Sequence, residues 1–210
     1  MKTLIEHLDF LLTVDAGDRV IRDAAIVIED DRIADLGTTD EVSERHPREA
    51  FDTITNGRLR GMCPGFVDSH VHLSETLSRA VFPDNLNTRA WVFHWAKPFY
   101  AHITRDDEYC GALLGITEML RCGTTCFLDM GSQYDPGITV RAMEATGIRG
   151  VTGRHAADNK PATLPRGWDE EMVKHHFFPD ADTALTELRR CVEQYHGALD
   201  GRVRCWVNIE

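Results

Sequence analysis

His70 and His72 are the residues whose type and spacing can do chemistry. On an extended segment, residues i and i+2 share a face, so the two imidazoles stand side by side. A neutral imidazole pair near the C-terminal end of a strand suits a borderline divalent metal such as zinc or iron. Spacing alone fits two half-exposed strand histidines equally well. Asp68 has the same parity and can either orient one of the rings or make a structural hydrogen bond. Asp129, closing a later apolar run, has the same two readings. Arg154 and His155 close a third apolar run and are expected to face a pocket. An arginine there can pair with a substrate carboxylate or phosphate, or with one of the chain's many acids. His175 and His176 are adjacent, so their rings diverge and do not form a ligand pair. A phosphate-cradling glycine loop, a dinucleotide fingerprint and a serine-nucleophile motif are absent from the sequence.

The elements that must hold these residues follow from periodicity and turn residues. Runs at 8–14, 24–29 and 32–37 predict strands, the last alternating apolar and polar residues. A helical turn over 40–46 and extended structure over 51–59 complete a small β-rich unit, residues 1–62. After Pro64-Gly65 comes a strand at 66–72, then a long loop rich in aromatic residues to about residue 100. Thr104 caps a helix with Asp106, Asp107 and Glu108 in its first turn, and Gly123 stops it. A strand over 124–130 leads to a helix opened by Asp135-Pro136 and closed by Gly147. A strand at 148–154, a second long loop, a helix over 182–196 and a strand over 202–209 follow. Such alternation argues for an α/β fold with parallel pairing. Four strands and three helices amount to half of a (β/α)8 TIM-type barrel, which typically needs about 250 residues. Residues 63–210 are therefore expected to be the N-terminal half of a barrel. A final strand without its covering helix would leave an apolar face in water, so the sequence reads as truncated. The rival is a complete small domain with a four-stranded sheet.

Bulk properties narrow the partners. With 42% hydrophobic and 27% charged residues, the composition is that of a globular protein. A net charge of -11, from 34 acidic residues against 23 Lys+Arg, argues against nucleic acid or an anionic membrane. Glu6, His7 and Asp9 interrupt the N-terminal apolar stretch, so no signal peptide is predicted and the expected location is the cytoplasm. The six cysteines include no CxxC pair and are expected to be reduced, mostly as core residues.

Pro64-Gly65-Phe66-Val67-Asp68-Ser69-His70-Val71-His72-Leu73 resembles the motif that opens the barrel of the metal-dependent amidohydrolase superfamily. Residues 23–37 look like that family's N-terminal β-sandwich segment. Glu118-Met119-Leu120-Arg121-Cys122-Gly123-Thr124-Thr125-Cys126 is similar to its transition from first helix to second strand. The small β unit and the aromatic loop favour the aminohydrolase branch of deaminases and triazine hydrolases. The resemblance implies a β-sandwich-like domain before the barrel, and one divalent metal, zinc or iron, held in part by His70 and His72. Metal-activated water would attack a ring carbon bearing an amino group or halide of a small heterocyclic substrate. A full-length form is expected to be a homo-oligomer. Arg79, Asp84, Asn85 and Trp91 fall on the loop that covers substrate in similar deaminases, although Trp91 and Trp95, at i and i+4, also suit packing. The family's remaining two His and one Asp ligands and its proton-shuttling Glu lie on or after later strands. His155, His175, His176 and His196 do not match those positions, so the catalytic residues are unknown and this chain alone is expected to hold metal weakly and to be inactive. A two-metal cyclic amidase is disfavoured because Arg202–Glu210 contains no Lys to bridge metals. A non-catalytic association module built on a half-barrel surface is the alternative from another class.

Overall fold

The structure, a computed structural model, describes residues 1–160 and 162–209, with His175 described by its backbone alone. The chain divides into two units, Met1–Pro64 and Gly65–Glu210.

The first unit is built on β1 (Lys2–Leu12), β2 (Val20–Glu29) and β3 (Arg32–Thr38), joined antiparallel in sequence. After β3, a capping box formed by Thr38 and Glu41 starts α1 (Thr39–Arg45). Then β4 (Thr53–Asn56) and β5 (Gly61–Met62) both pair in parallel with β1. The result is one five-stranded sheet with order β3-β2-β1-β4 and β5 beside β1, in place of the expected sandwich. The helix expected after β3 is present as α1, and its Val42 covers Leu4, Ala25 and Val27. The other cluster, Leu8, Leu11, Ala24 and Ile26, shares no residue with it. Strand β1 starts earlier than the expected 8–14. Its polar interruption is absorbed because Glu6 pairs with Arg48 at 2.7 and 2.8 Å, and because a bulge at His7 (φ 59°) resets the register.

The second unit opens with β6 (Phe66–Val71) and a 3-10 turn, Leu73–Ser78. Then come α2 (Thr88–Trp91), a π-type stretch Val92–Ala96, α3 (Lys97–His102) and α4 (Arg105–Arg121). The rest alternates: β7 (Thr124–Asp129), α5 (Gly137–Thr146), β8 (Arg149–Ala156), α6 (Glu170–His176), α7 (Ala181–Tyr195) and β9 (Val203–Ile209). Strands β6-β7-β8-β9 form a parallel sheet in sequence order, as predicted for an α/β chain, and this sheet does not close into a barrel. Leu73, Ala112, Ile116, Phe127, Met143, Ile148 and Val203 form the core between the sheet and the helices α4 and α5. Gly65 of the Pro-Gly pair is required by contact: a Cβ there would stand 2.3 Å from Thr125 Oγ1 on β7.

Two stretches expected as loops contain helices. Asn87 caps α2 by accepting from the Ala90 N–H at 2.9 Å, and Ala96, Tyr100 and Ile103 recur at helical spacing to form a small core. Aromatic residues on the other positions hide that period in the sequence. In the second stretch, Asp169 caps α6, and the Trp168 indole N–H donates to Phe93 O at 2.9 Å. All six cysteines are free. Only Cys191 and Cys205 are buried, a correction to the core assignment: Cys110 sits on the outer side of α4 and Cys122 at its C-cap, both exposed. Among the described residues no helix is long and apolar enough to cross a membrane.

Candidate metal centre

Strand alternation sorts the parallel sheet into two faces. Val71, Phe127, Ile148 and Val203 point into the helix-covered core. His70 and His72, His155 and Asn208 have the opposite parity and share the other face. The His70 and His72 ring centroids are 5.2 Å apart, with the planes inclined at 68°. His70 is exposed and the His72 side chain is 31% exposed.

This spacing tests whether the pair fits a metal. Zn–N bonds run about 2.0–2.1 Å, with roughly 1.1 Å more from nitrogen to ring centre, so imidazoles sharing a tetrahedral ion stand about 5 Å apart. The pair fits as half of a ligand set. Among the described residues, no third His, Cys, Asp or Glu gathers with them; the one such triple is Asp135, Glu187 and Cys191.

The backbone beyond the pair is clamped. Asp129, at the end of β7, accepts the Leu73 N–H at 3.1 Å and the Thr152 hydroxyl at 2.9 Å. Burial pushes its carboxyl up to about 6, against the pull of those donors. Asp68 accepts the backbone N–H of His70 at 3.1 Å, the structural of its two readings.

Three residues at this end of the sheet carried no legible signal. Glu75, on the 3-10 turn, places Oε1 3.3 Å from His72 Nδ1, and the Tyr100 hydroxyl donates to the same oxygen. Burial raises Glu75 to about 7 and holds the Tyr100 phenol well above its ordinary value. Glu108 of α4 is 2% exposed and accepts the Gln133 N–H at 3.0 Å, while its Oε2 meets no well-formed hydrogen bond among the described residues. Its carboxyl is pushed up to about 7 by burial. An Asp or Glu at the start of a helix reads as dipole complementarity, which conceals a buried acid.

The proposed substrate residues separate. The Trp91 ring stands edge-on to His72 at 6.1 Å and also joins the Tyr100 core. His155 lies on the imidazole face, where the Asn208 amide nitrogen is 3.3 Å from its Nδ1 and also donates to Met130 O. Arg154 does not share that face but lines a separate cavity of about 510 Å³ with Tyr134, Phe178 and Glu187. Adjacent strand residues point oppositely, so its guanidinium lies on the helix side, donating to Ser132 O and His155 O and stacking over Phe178 at 5.4 Å. Arg79 lines a groove of about 490 Å³ with His72 and Glu75, but its guanidinium is held by Glu118 at 2.7 Å. Asp84 is exposed and makes no hydrogen bond or ion pair among the described residues. His176 is buried with Nε2 2.7 Å from Lys97 O, and the His175 side chain lies outside the described residues. His196 is occupied by the Cys205 backbone.

The second unit is thus a parallel α/β sheet carrying an HxH pair at the end of its first strand, and comparisons with known proteins name its family. The Amidohydrolase family profile matches residues 62–208, and the chain belongs to that family. A profile for the Imidazolonepropionase-like composite domain of bacteria matches residues 24–48. Among curated relatives, a 5'-deoxyadenosine deaminase of Methanothermobacter thermautotrophicus is 36% identical over 191 residues, 91% of this chain and 38% of that protein. Another, from Methanosarcina barkeri, is 31% identical over 97% of this chain and 41% of its own length. A 5-methylthioadenosine/S-adenosylhomocysteine deaminase of Halothermothrix orenii is 32% identical over 72% of this chain and 34% of its length. The chain thus spans about two fifths or less of these relatives. Of solved structures, zinc-complexed atrazine chlorohydrolase of Arthrobacter aurescens superposes with a TM-score of 0.76 at 22% identity, covering 98% of this chain and 46% of that one. Guanine deaminase of E. coli gives 0.72 at 17%, covering 97% and 45%.

Proposed function

We propose that residues 63–210 supply the first four βα units of a (β/α)8 barrel, with residues 1–62 as a separate small domain. In this reading His70 and His72 provide part of the ligand set of one divalent metal, zinc or iron. The protein hydrolyses a carbon–nitrogen, non-peptide bond or a carbon–halogen bond of a small heterocycle, deaminating or dehalogenating it. The observation that carries this reading is the 5.2 Å separation of two imidazoles on the open sheet face, matched to a shared ion. The deaminase names of relatives that cover most of the chain support the substrate class.

When bound, the metal supplies Lewis acidity and activates water as a nucleophile at neutral pH. The chain's own residues do the rest. His70 and His72 hold the ion by ring nitrogens, and Trp91 shields the His72 edge from solvent. Asn208 donates to His155 Nδ1, which leaves the proton on Nε2, so His155 offers a donor to a ring nitrogen or exocyclic oxygen of the heterocycle. Arg79, which lines the groove with His72 and Glu75, and Asp84 are secondary candidates. The net charge of -11 favours a diffusible small molecule over nucleic acid or membrane, and a cytoplasmic homo-oligomer fits that role.

The test is release of ammonia from 5'-deoxyadenosine-type nucleosides, and of chloride or amine from triazines, by the metal-loaded protein expressed from its full reading frame. Activity that disappears in His70→Ala supports the reading. Activity unchanged in that variant, or a metal-loaded protein inert on both classes, refutes it.

A further inference from the structure

The 3-10 turn after β6 folds Glu75 back onto His72, three residues earlier, with Oε1 3.3 Å from Nδ1. The Glu75 side chain is only 13% exposed, and its Oε1 also receives the hydroxyl of Tyr100, which is 6% exposed. Tyr100 reaches it from α3, within a packed core that includes Ala96 and Ile103. The Leu73 N–H is fixed to Asp129, so the backbone on which the turn begins cannot drift. The turn, α3 and β7 therefore together fix the segment that places Glu75 beside the His72 ring.

An imidazole has two nitrogens with distinct duties. A carboxylate oxygen beside Nδ1 repels a lone pair and favours a proton there. The lone pair is then confined to Nε2. In histidines that bind metals, the second nitrogen usually donates to such an oxygen, which fixes tautomer and ring orientation. We infer that Glu75, held by Tyr100, is a positioning residue that keeps His72 in the Nδ1–H tautomer and leaves Nε2 as its only metal donor. This deepens the proposed function and rests on its assignment of His72 as a ligand.

Glu75 lies outside the HxH motif, and nothing in its sequence context singles it out. Its role is separable from packing because glutamine keeps an acceptor oxygen at the same place whereas leucine keeps only bulk.

The test uses the 210-residue chain, first without metal. Nitrogen-15 shifts of the His72 ring above its titration range report which nitrogen carries the proton. The expected result is an Nδ1–H ring in the wild type and in Glu75→Gln, and a mixture of tautomers in Glu75→Leu, with Tyr100→Phe between them. Zinc titration of the same proteins supplies the second readout. Affinity should fall roughly 10–100-fold in Glu75→Leu and be largely restored in Glu75→Gln. A wild-type His72 protonated on Nε2, or a tautomer indifferent to residue 75, overturns the inference. If Glu75→Leu fails to fold, Tyr100→Phe still decides: a mixture of tautomers there supports the inference, and a ring unchanged from wild type overturns it. Zinc affinity equal in wild type and His70→Ala overturns the metal reading itself, while the tautomer measurement continues to judge Glu75.

Discussion

Asp129 accepts the backbone N–H of Leu73 at 3.1 Å, joining the end of β7 to the residue that follows the HxH pair. Its other oxygen receives the Thr152 hydroxyl from β8, so one buried carboxylate ties three strands at the end where the histidines sit. Removing it leaves those two donors buried without a partner, at about 1–3 kcal/mol each. Asp129→Ala should therefore lose about 3 kcal/mol or more in urea unfolding. Asp129→Asn, which keeps an acceptor for Leu73, should lose clearly less. Equal losses would show that the tie depends on the charge of the carboxylate and not on the acceptor that asparagine keeps.

Glu108 gives a pH dependence with a definite sign. Burial raises its carboxyl from the ordinary 4.5 to about 7, so the folded chain holds this proton where the unfolded chain has released it. Between those values the folded state binds more protons, and stability must fall as pH rises. The shift corresponds to about 3 kcal/mol, fully expressed above pH 7. Glu108→Gln keeps the acceptor for the Gln133 N–H and removes the titration. Unfolding free energies measured from pH 5 to 8 should fall for the wild type more steeply than for the variant. Parallel curves would mean that water reaches Oε2.

The sheet was readable because its signals are local. Apolar runs of strand length, Thr104 and Gly123 bracketing α4, and Pro136 and Gly147 bracketing α5 each act within a few residues. The HxH pair was readable for the same reason, since strand parity alone sets the two rings together. What escaped depends on contacts remote in sequence. The Tyr100–Glu75 contact spans 25 positions, and Ala96, Tyr100 and Ile103 gain a partner only once distant residues reach them, His176 of α6 against the Tyr100 ring and Tyr134 against the cluster. Arg154 does line a cavity, with Tyr134, Phe178 and Glu187, but strand parity puts it on the face opposite His155, with which its position in the sequence groups it.

That opposition can be measured. Arg154 serves the protein through Ser132 O, His155 O and the Phe178 ring, all on the helix side. Arg154→Met should cost about 1–2 kcal/mol of stability, the worth of a charged hydrogen bond and a cation–π contact, and leave KM for the heterocycle unchanged. His155→Ala should leave unfolding nearly unaltered and raise KM or lower kcat at least tenfold. The reverse pattern would exchange the two faces and remove His155 from the proposed substrate site.

Two places in the second unit bring together groups that metals favour, and zinc should choose between them. At Asp135, Glu187 and Cys191 the ligand atoms are close enough to share an ion. A cation is already there: Arg190 Nη2 lies 2.6 Å from Asp135 Oδ2 and 2.7 Å from Glu187 Oε1. Against the upward push of burial, the Tyr195 hydroxyl and Arg190 hold Asp135 below its ordinary range, Arg190 does the same for Glu187, and burial pushes the Cys191 thiol up to about 12. At neutral pH it is a thiol, and metals bind the thiolate. Zinc would have to displace a bidentate guanidinium and take a proton from sulfur. The imidazoles of His70 and His72 need neither, since the neutral ring is already the ligand form. Asp135→Asn should therefore leave zinc affinity within about twofold of wild type at pH 7.5, whereas His70→Ala and His72→Ala should each weaken it at least tenfold. Because two imidazoles make only half of a tetrahedral set, the wild-type affinity itself should be weak. Zinc that follows Asp135 instead would move the metal to the helix layer and detach it from the HxH strand.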